Sequence, residues 1–277
     1  ARLAADLDTP VSLMLKLGEA RSDTFMLESV TGGEVRGRYS VVGMKPDLIW
    51  QCHGAQSRIN REARFDPQAF TPLDGDPLQT MRDLIAESRM DLPAGMPPVA
   101  SGLFGYLGYD MIRLVEHLPN VNPDPLGLPD AVLMRPSLVA VLDGVKGEVT
   151  LVAPAWAASG LSARAAYAQA AERVMDALRD LDRAPAAPRD LGDAGPVGEM
   201  TSNFSHEGYK AAVEKAKDYI RAGDIFQVVP SQRWTQRFEY APFALYRSLR
   251  RTNPSPFMFF FNFGGFQIVG ATPEILV

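Results

Sequence analysis

The chain has 277 residues, 46% of them hydrophobic and 22% charged, enough for one or two globular domains with a sizeable core. A net charge of −5 and a pI near 5.3 argue against nucleic acid or an anionic membrane as partner, because neither would meet a basic patch. The single cysteine, Cys52, excludes an internal disulfide and suits a reducing cytosol; it reads as a small half-buried residue.

Asp6 and Asp8 interrupt the start of the chain, so no secretory signal is visible there and a cytoplasmic setting is expected. Pro119 to Pro129 holds four prolines and should turn the chain sharply. Pro136–Leu142, the pair Asp143-Gly144 and Glu148–Ala153 predict a hairpin feeding a core sheet. Ser162 then caps a helix whose apolar stripe is Tyr167, Ala170, Ala171, Val174, Leu178 and Leu181. Residues 182–203, rich in Pro, Gly, Ala and charge, read as a linker. Ser205 caps a second helix through Arg221, with Tyr209, Ala212, Val213, Ala216, Tyr219 and Ile220 facing inward and Gly223 as its left-handed stop. Ile225–Val229 reads as a strand, and Phe257–Phe263 with Phe266–Val269 flank Gly264-Gly265 as a second hairpin. Alternation puts Phe257, Phe259, Phe261 and Phe263 on one face, a pattern of sheet core more than of a ligand platform. The longest apolar stretch, Phe257 to Ala271, is too short and too broken to span a bilayer. Strand runs with helices between them predict an α+β fold of antiparallel sheets covered by helices.

Chemistry-bearing residues are sparse. There is no phosphate loop, zinc spacing or nucleophile elbow, and His53, His117 and His206 have no partner at ligand spacing. Arg250-Arg251 reads as solvated structure. Two polar residues sit among apolar neighbours. Gln227 lies between Phe226 and Val228, and Glu274 precedes the apolar run Ile275, Leu276, Val277. A carboxylate in apolar surroundings is a candidate general acid, although on composition alone Glu274 reads as a strand-end group facing water. An apolar run is an unusual terminus for a domain, so the chain is expected to continue beyond Val277.

Four segments carry a family resemblance: Leu27-Glu28-Ser29 with Arg38-Tyr39-Ser40; Gly102 to Asp110; Gly223 to Gln232; and Asn253 to Met258 with Gly270 to Glu274. Together they resemble anthranilate synthase component I, in that family's order and across the whole chain. The resemblance implies an αββα sandwich with sheets packed face to face, truncated at the C-terminus. It implies an N-terminal domain over 1–181, the linker over 182–203, and an incomplete chorismate-binding domain over 204–277. The implied activity is a lyase of tryptophan biosynthesis that turns chorismate and ammonia into anthranilate and pyruvate. A glutamine amidotransferase subunit (component II) would supply the ammonia, and Mg²⁺ would be held by residues beyond 277. The isolated 1–277 chain is therefore expected to be inactive.

By the same resemblance, Glu274 protonates the departing C4 hydroxyl of chorismate. Gln227 stands where related water-adding synthases resemble a lysine, and an amide that cannot take a proton favours ammonia as nucleophile. L-tryptophan as feedback inhibitor would be bound by Glu28 and Ser29, with Ser40 a less certain member and Pro256, Phe257 and Met258 as apolar walls. Such a site would join the N-terminal segment to a strand beyond the linker. Two rivals stand beside this reading: aminodeoxychorismate synthase component I, and a tryptophan-sensing module without catalysis.

Overall fold

The computed structural model describes residues 1–30, 37–119, 122–156, 160–184 and 198–274. Most of the linker and the run Ile275 to Val277 lie outside the described residues. Contacts divide the chain into two units, one of Ala1–Ala187 with Pro242–Val277 and one of Pro188–Ala241.

Ten strands of the first unit form one antiparallel sheet. They are β1 (Arg2–Ala4), β2 (Thr24–Glu28), β3 (Tyr39–His53), β4 (Gln56–Asn60), β5 (Thr71–Leu73), β6 (Phe104–Leu107), β7 (Ala131–Asp143), β8 (Glu148–Val152), β11 (Phe257–Asn262) and β12 (Gln267–Thr272). The main order is β1-β8-β7-β3-β2-β11-β12, with β6 on β7, β4 on β3 and β5 on β4. Both predicted hairpins form, as β7–β8 and β11–β12, and the second adds to β2 through Phe260↔Met26.

The 15-residue β3 carries the architecture because its register against β7 shifts between Pro46 and Leu48. A proline cannot donate to the ladder, so it is tolerated where pairing is already interrupted. Beyond that shift β3 turns from β2 toward β4, and β7 turns from β8 toward β6. Phe104 of β6 stacks on Phe25 of β2 at 4.4 Å. Those strands are separated by β7 and β3 in the sheet, and neighbouring strands lie about 4.8 Å apart. The sheet must therefore fold over itself. The expected face-to-face arrangement is present as two halves of one continuous sheet, around a core of Phe25, Val41, Val139, Val141 and Phe261.

Three helices cover the opposite face. They are α1 (Pro10–Leu17), α3 (Ala163–Leu181) and α5 (Pro242–Thr252), which bring Leu13, Met14, Ala177, Phe243 and Tyr246 onto Met26, Val42, Leu138 and Phe260. Helix α1 starts on a capping box in which Thr9 and Ser12 satisfy each other's backbone N–H, with Pro10 at the first turn. Helix α2 (Pro77–Glu87) closes the far end over Trp50, whose indole N–H donates to Thr80 at 3.2 Å. Cys52 is fully buried, with its thiol pushed up to about 11, chiefly by burial.

Ser162 caps α3 as expected, but the buried stripe is Ala170, Arg173, Ala177 and Leu181, while Tyr167 is 73% exposed. Of the predicted stripe, Ala170 and Leu181 are buried and Val174 and Leu178 pack against the core, whereas Tyr167 and Ala171 are exposed and the buried Arg173 and Ala177 lie outside the prediction.

The second unit holds α4 (His206–Ala222), capped by Ser205 and stopped by Gly223 at φ 82°, and a two-stranded ribbon of β9 (Thr201–Ser202) and β10 (Trp234–Thr235). The predicted inward face of α4 is not buried: none of its residues is, and Tyr219 and Ile220 are exposed. Nor does Ile225–Val229 form a strand; Phe226 is 93% and Val229 77% exposed. A strand needs a neighbour to take its N–H and C=O groups, and no described strand pairs with this segment.

Candidate functional site

The edge of the helix-covered face carries a row of aligned residues. Met258 of β11 pairs directly with Glu28 of β2, and Met258 pairs on its other side with Ala271 of β12. The β2–β3 register ends at Leu27↔Val41, and one further step sets Ser40 beside Glu28. Ser40 in turn pairs with Leu142. Directly opposed residues point to one face of an antiparallel sheet. Ser40, Glu28 and Met258 thus form a continuous row on the same face as Met26, Val42 and Phe260. A further bond, from the Val30 N–H to the Ser255 carbonyl at 3.2 Å, extends the junction of the two segments past the strand ends. Ser255 also donates to the Thr272 carbonyl, tying the 253–258 segment to β12.

Glu28 is the polar centre of this row, with its side chain only 2% exposed. An isolated carboxylate would not survive such burial, and this one is paired. Arg250 of α5 forks onto it, with Nη2 2.6 Å from Oε1 and Nε 2.8 Å from Oε2. Tyr246, one helical turn earlier on the same face, donates its hydroxyl to Oε2 at 2.6 Å. Burial and then the adjacent Glu28 charge push the Tyr246 phenol far up, so it remains a donor at any physiological pH. The bond to Glu28 likewise strengthens the Arg250 guanidinium's hold on its proton. Arg250 is therefore no solvated surface charge, as its sequence context had suggested. It is the counter-ion of a buried carboxylate.

Of the other candidate residues, Ser29 and Pro256 flank the row within the junction, and Phe257, Glu274 and Gln227 lie off it. Alternation turns Phe257 away from Met258, toward the face that carries Phe259 and Phe261. Pro256 is half-buried just ahead of β11, and Ser29 is half-buried just after β2. Glu274 is exposed beyond β12, and its N–H donates to Thr272 Oγ1 at 3.2 Å. Gln227 is exposed in the second unit, in the irregular segment after Gly223.

Residues 25–277 match the family of chorismate binding enzymes. The chain belongs to that family. As a member, it is 84% identical over all 277 residues to anthranilate synthase component 1 of Cereibacter sphaeroides, covering 55% of that protein. It is 41% identical to the component 1 of Pseudomonas aeruginosa, over 99% of this chain and 55% of that one. A crystal structure of anthranilate synthase component I from Streptococcus pneumoniae superimposes with a TM-score of 0.69 at 29% identity, over 88% of this chain and 52% of that one. The chain spans about half the length of the curated relatives it matches.

Tyr246 and Arg250, which hold the Glu28 carboxylate, are not among the residues that the sequence singles out for this site. The available signal was an i, i+4 pair on a helix directly preceding the Asn-Pro-Ser-Pro-Phe-Met segment. Among the described residues no group of three or more His, Cys, Asp or Glu side chains converges to hold a metal. No helix among them is long and apolar enough to cross a membrane.

Proposed function

We propose that this chain is part of an anthranilate synthase component I, which aminates chorismate at C2 and releases anthranilate, pyruvate and water. The observation that carries the reading is 84% identity, sustained along all 277 residues, to a protein of that name. Ammonia adds at C2, and the C4 hydroxyl leaves as water with a proton from Glu274. Elimination of pyruvate then restores the aromatic ring. Gln227 cannot act as a base toward water, so it favours ammonia, which is nucleophilic without one. A glutamine amidotransferase subunit delivers the ammonia, in the cytoplasm. The described residues offer no group of three or more His, Cys, Asp or Glu side chains that could hold Mg²⁺.

Regulation by L-tryptophan is proposed at the row of Ser40, Glu28 and Met258. Its support is geometric: an acidic centre, a hydroxyl and an apolar wall meet where β2 and β11 join. Because Arg250 and Tyr246 already occupy the Glu28 carboxylate, a ligand ammonium arriving there competes with α5 for it. Tryptophan binding would thus be coupled to the position of that helix.

The reaction is tested by incubating the full-length protein with chorismate, Mg²⁺ and ammonia and following anthranilate fluorescence. Glu274→Gln is expected to lower kcat by about 10²-fold or more, the usual worth of a general acid. Release of 4-amino-4-deoxychorismate instead of anthranilate would overturn the assignment.

A further inference from the structure

Helix α3 buries a charge where its stripe should be apolar. Arg173 occupies that stripe and is 8% exposed. Its Nε donates to the Ser137 carbonyl at 3.1 Å and its Nη2 to the Pro154 carbonyl at 3.0 Å. A guanidinium has five N–H donors and does not lose its charge in proteins. Two neutral carbonyls hold the guanidinium, and the nearby Asp47 charge favours its protonated form without bonding to it. Burying a charge with no carboxylate bonded to it is costly, so a purely structural stripe position would select against arginine.

The same guanidinium lines a cavity of about 620 Å³. Arg61, Arg64 and Arg135 line it too, giving four cations against Asp47, Glu62 and Glu87. Two of the cations are already matched. Arg135 forks onto Asp47 at 3.0 and 2.9 Å, and Arg61 forks onto Glu87 at 2.7 Å through each nitrogen. Among the described residues Arg64 and Arg173 form no ion pair with a carboxylate, although the Asp47 charge reaches Arg173, and Glu62 is exposed and bonded to neither. Burial, then the nearby Arg64 charge, weaken the Arg173 guanidinium's hold on its proton, and the Asp47 charge opposes them only in part. Trp156 adds a further donor: its indole N–H is buried without an acceptor among the described residues, while its ring lies 4.4 Å from the Arg135 guanidinium.

We propose that this cavity is a binding site for a small organic phosphate, clamped by Arg64 and Arg173, with the indole N–H of Trp156 as a further donor. Two unmatched guanidiniums suit a phosphate monoester, which carries nearly two negative charges at neutral pH and three acceptor oxygens. A single carboxylate would neutralise only half of the pair. The volume leaves room beyond the phosphate for an organic body against Trp156 and Phe65. The site lies wholly within the first unit and is independent of the reading given for Glu28 and Glu274.

The test is calorimetric titration of the full-length protein with phenyl phosphate at fixed ionic strength, with benzoate as the monoanionic control. The site predicts saturable one-to-one binding, at least about tenfold tighter than benzoate, the factor that one charge-assisted hydrogen bond supplies. Arg64→Gln is expected to weaken phenyl phosphate about tenfold or more; Arg64 is exposed, so this variant should fold normally. Arg173→Gln should weaken it further. No saturable binding, equal affinity for benzoate, or unchanged affinity in Arg64→Gln would each overturn the proposal.

Discussion

The junction of β2 with β11 and the segment after α4 are both short polar motifs set in apolar sequence, yet the chain treats them in opposite ways. At the junction, Glu28 is buried and doubly partnered, and its neighbours Ser40 and Met258 are buried with it. After α4, Gln227 is exposed and so are Phe226, Val228 and Val229 around it. The difference lies in what each segment finds to pair with. Strand β2 has β3 on one side and β11 on the other, so its backbone is satisfied and its side chains are enclosed. Residues 225–229 have no partner strand among the described residues. A sheet-borne site is complete only when its neighbouring strands are present, whatever its motif says.

The sharpest way to break this contrast is to remove the partner of Glu28. Arg250→Ala leaves a buried carboxylate without its counter-ion and should cost about 3 kcal/mol in chemical denaturation, the lower end for a broken buried pair. A loss below about 1 kcal/mol would show that the carboxylate is hydrated and the junction less closed than described.

A smaller effect concerns acid. The Arg38 guanidinium beside Asp143 holds that carboxyl below the ordinary carboxylate range, helped by the N–H groups of Lys146 and Val145. A depressed folded value stabilises the protein fully above the unfolded value, near pH 4, and the gain disappears as pH falls through the folded one. Denaturation midpoints measured between about pH 5 and pH 2 should therefore fall less steeply in Asp143→Asn than in the parent. Parallel slopes would count against a native-state pairing.

The smallest effects belong to the second unit. Two of its ion pairs, Lys217–Glu214 and Arg221–Asp218, are exposed i, i+3 contacts. Glu214→Gln and Phe226→Ser should each change the stability of the 277-residue chain by no more than about 0.5 kcal/mol. A larger loss on Phe226→Ser would mean that the 225–229 segment is covered.

Much of this structure was legible from local signals. The caps at Ser162 and Ser205, the stop at Gly223 and both hairpins depend on residues within a few positions of one another. What was not legible depends on distant partners. The strand expected at 225–229 fails because its apolar run lacks a neighbour. The α3 stripe is legible at Ala170, Val174, Leu178 and Leu181 but not at Arg173, a residue that pattern reasoning assigns to solvent and that carbonyls of Ser137 and Pro154 hold inside. The Glu28 row was reached through family motifs, but the pairing of Glu28 with Tyr246 and Arg250 spans more than two hundred residues of sequence. No window contains both ends of that contact.

The central claim is that Ser40, Glu28 and Met258 form one ligand-binding row. It is tested most directly by titrating the full-length protein with L-tryptophan, in parallel with Ser40→Ala and Glu28→Gln. The account predicts saturable binding that weakens by about tenfold in Ser40→Ala, for one lost hydrogen bond, and more in Glu28→Gln. Tryptophan affinity unchanged in both variants, with their folded state intact, would contradict it.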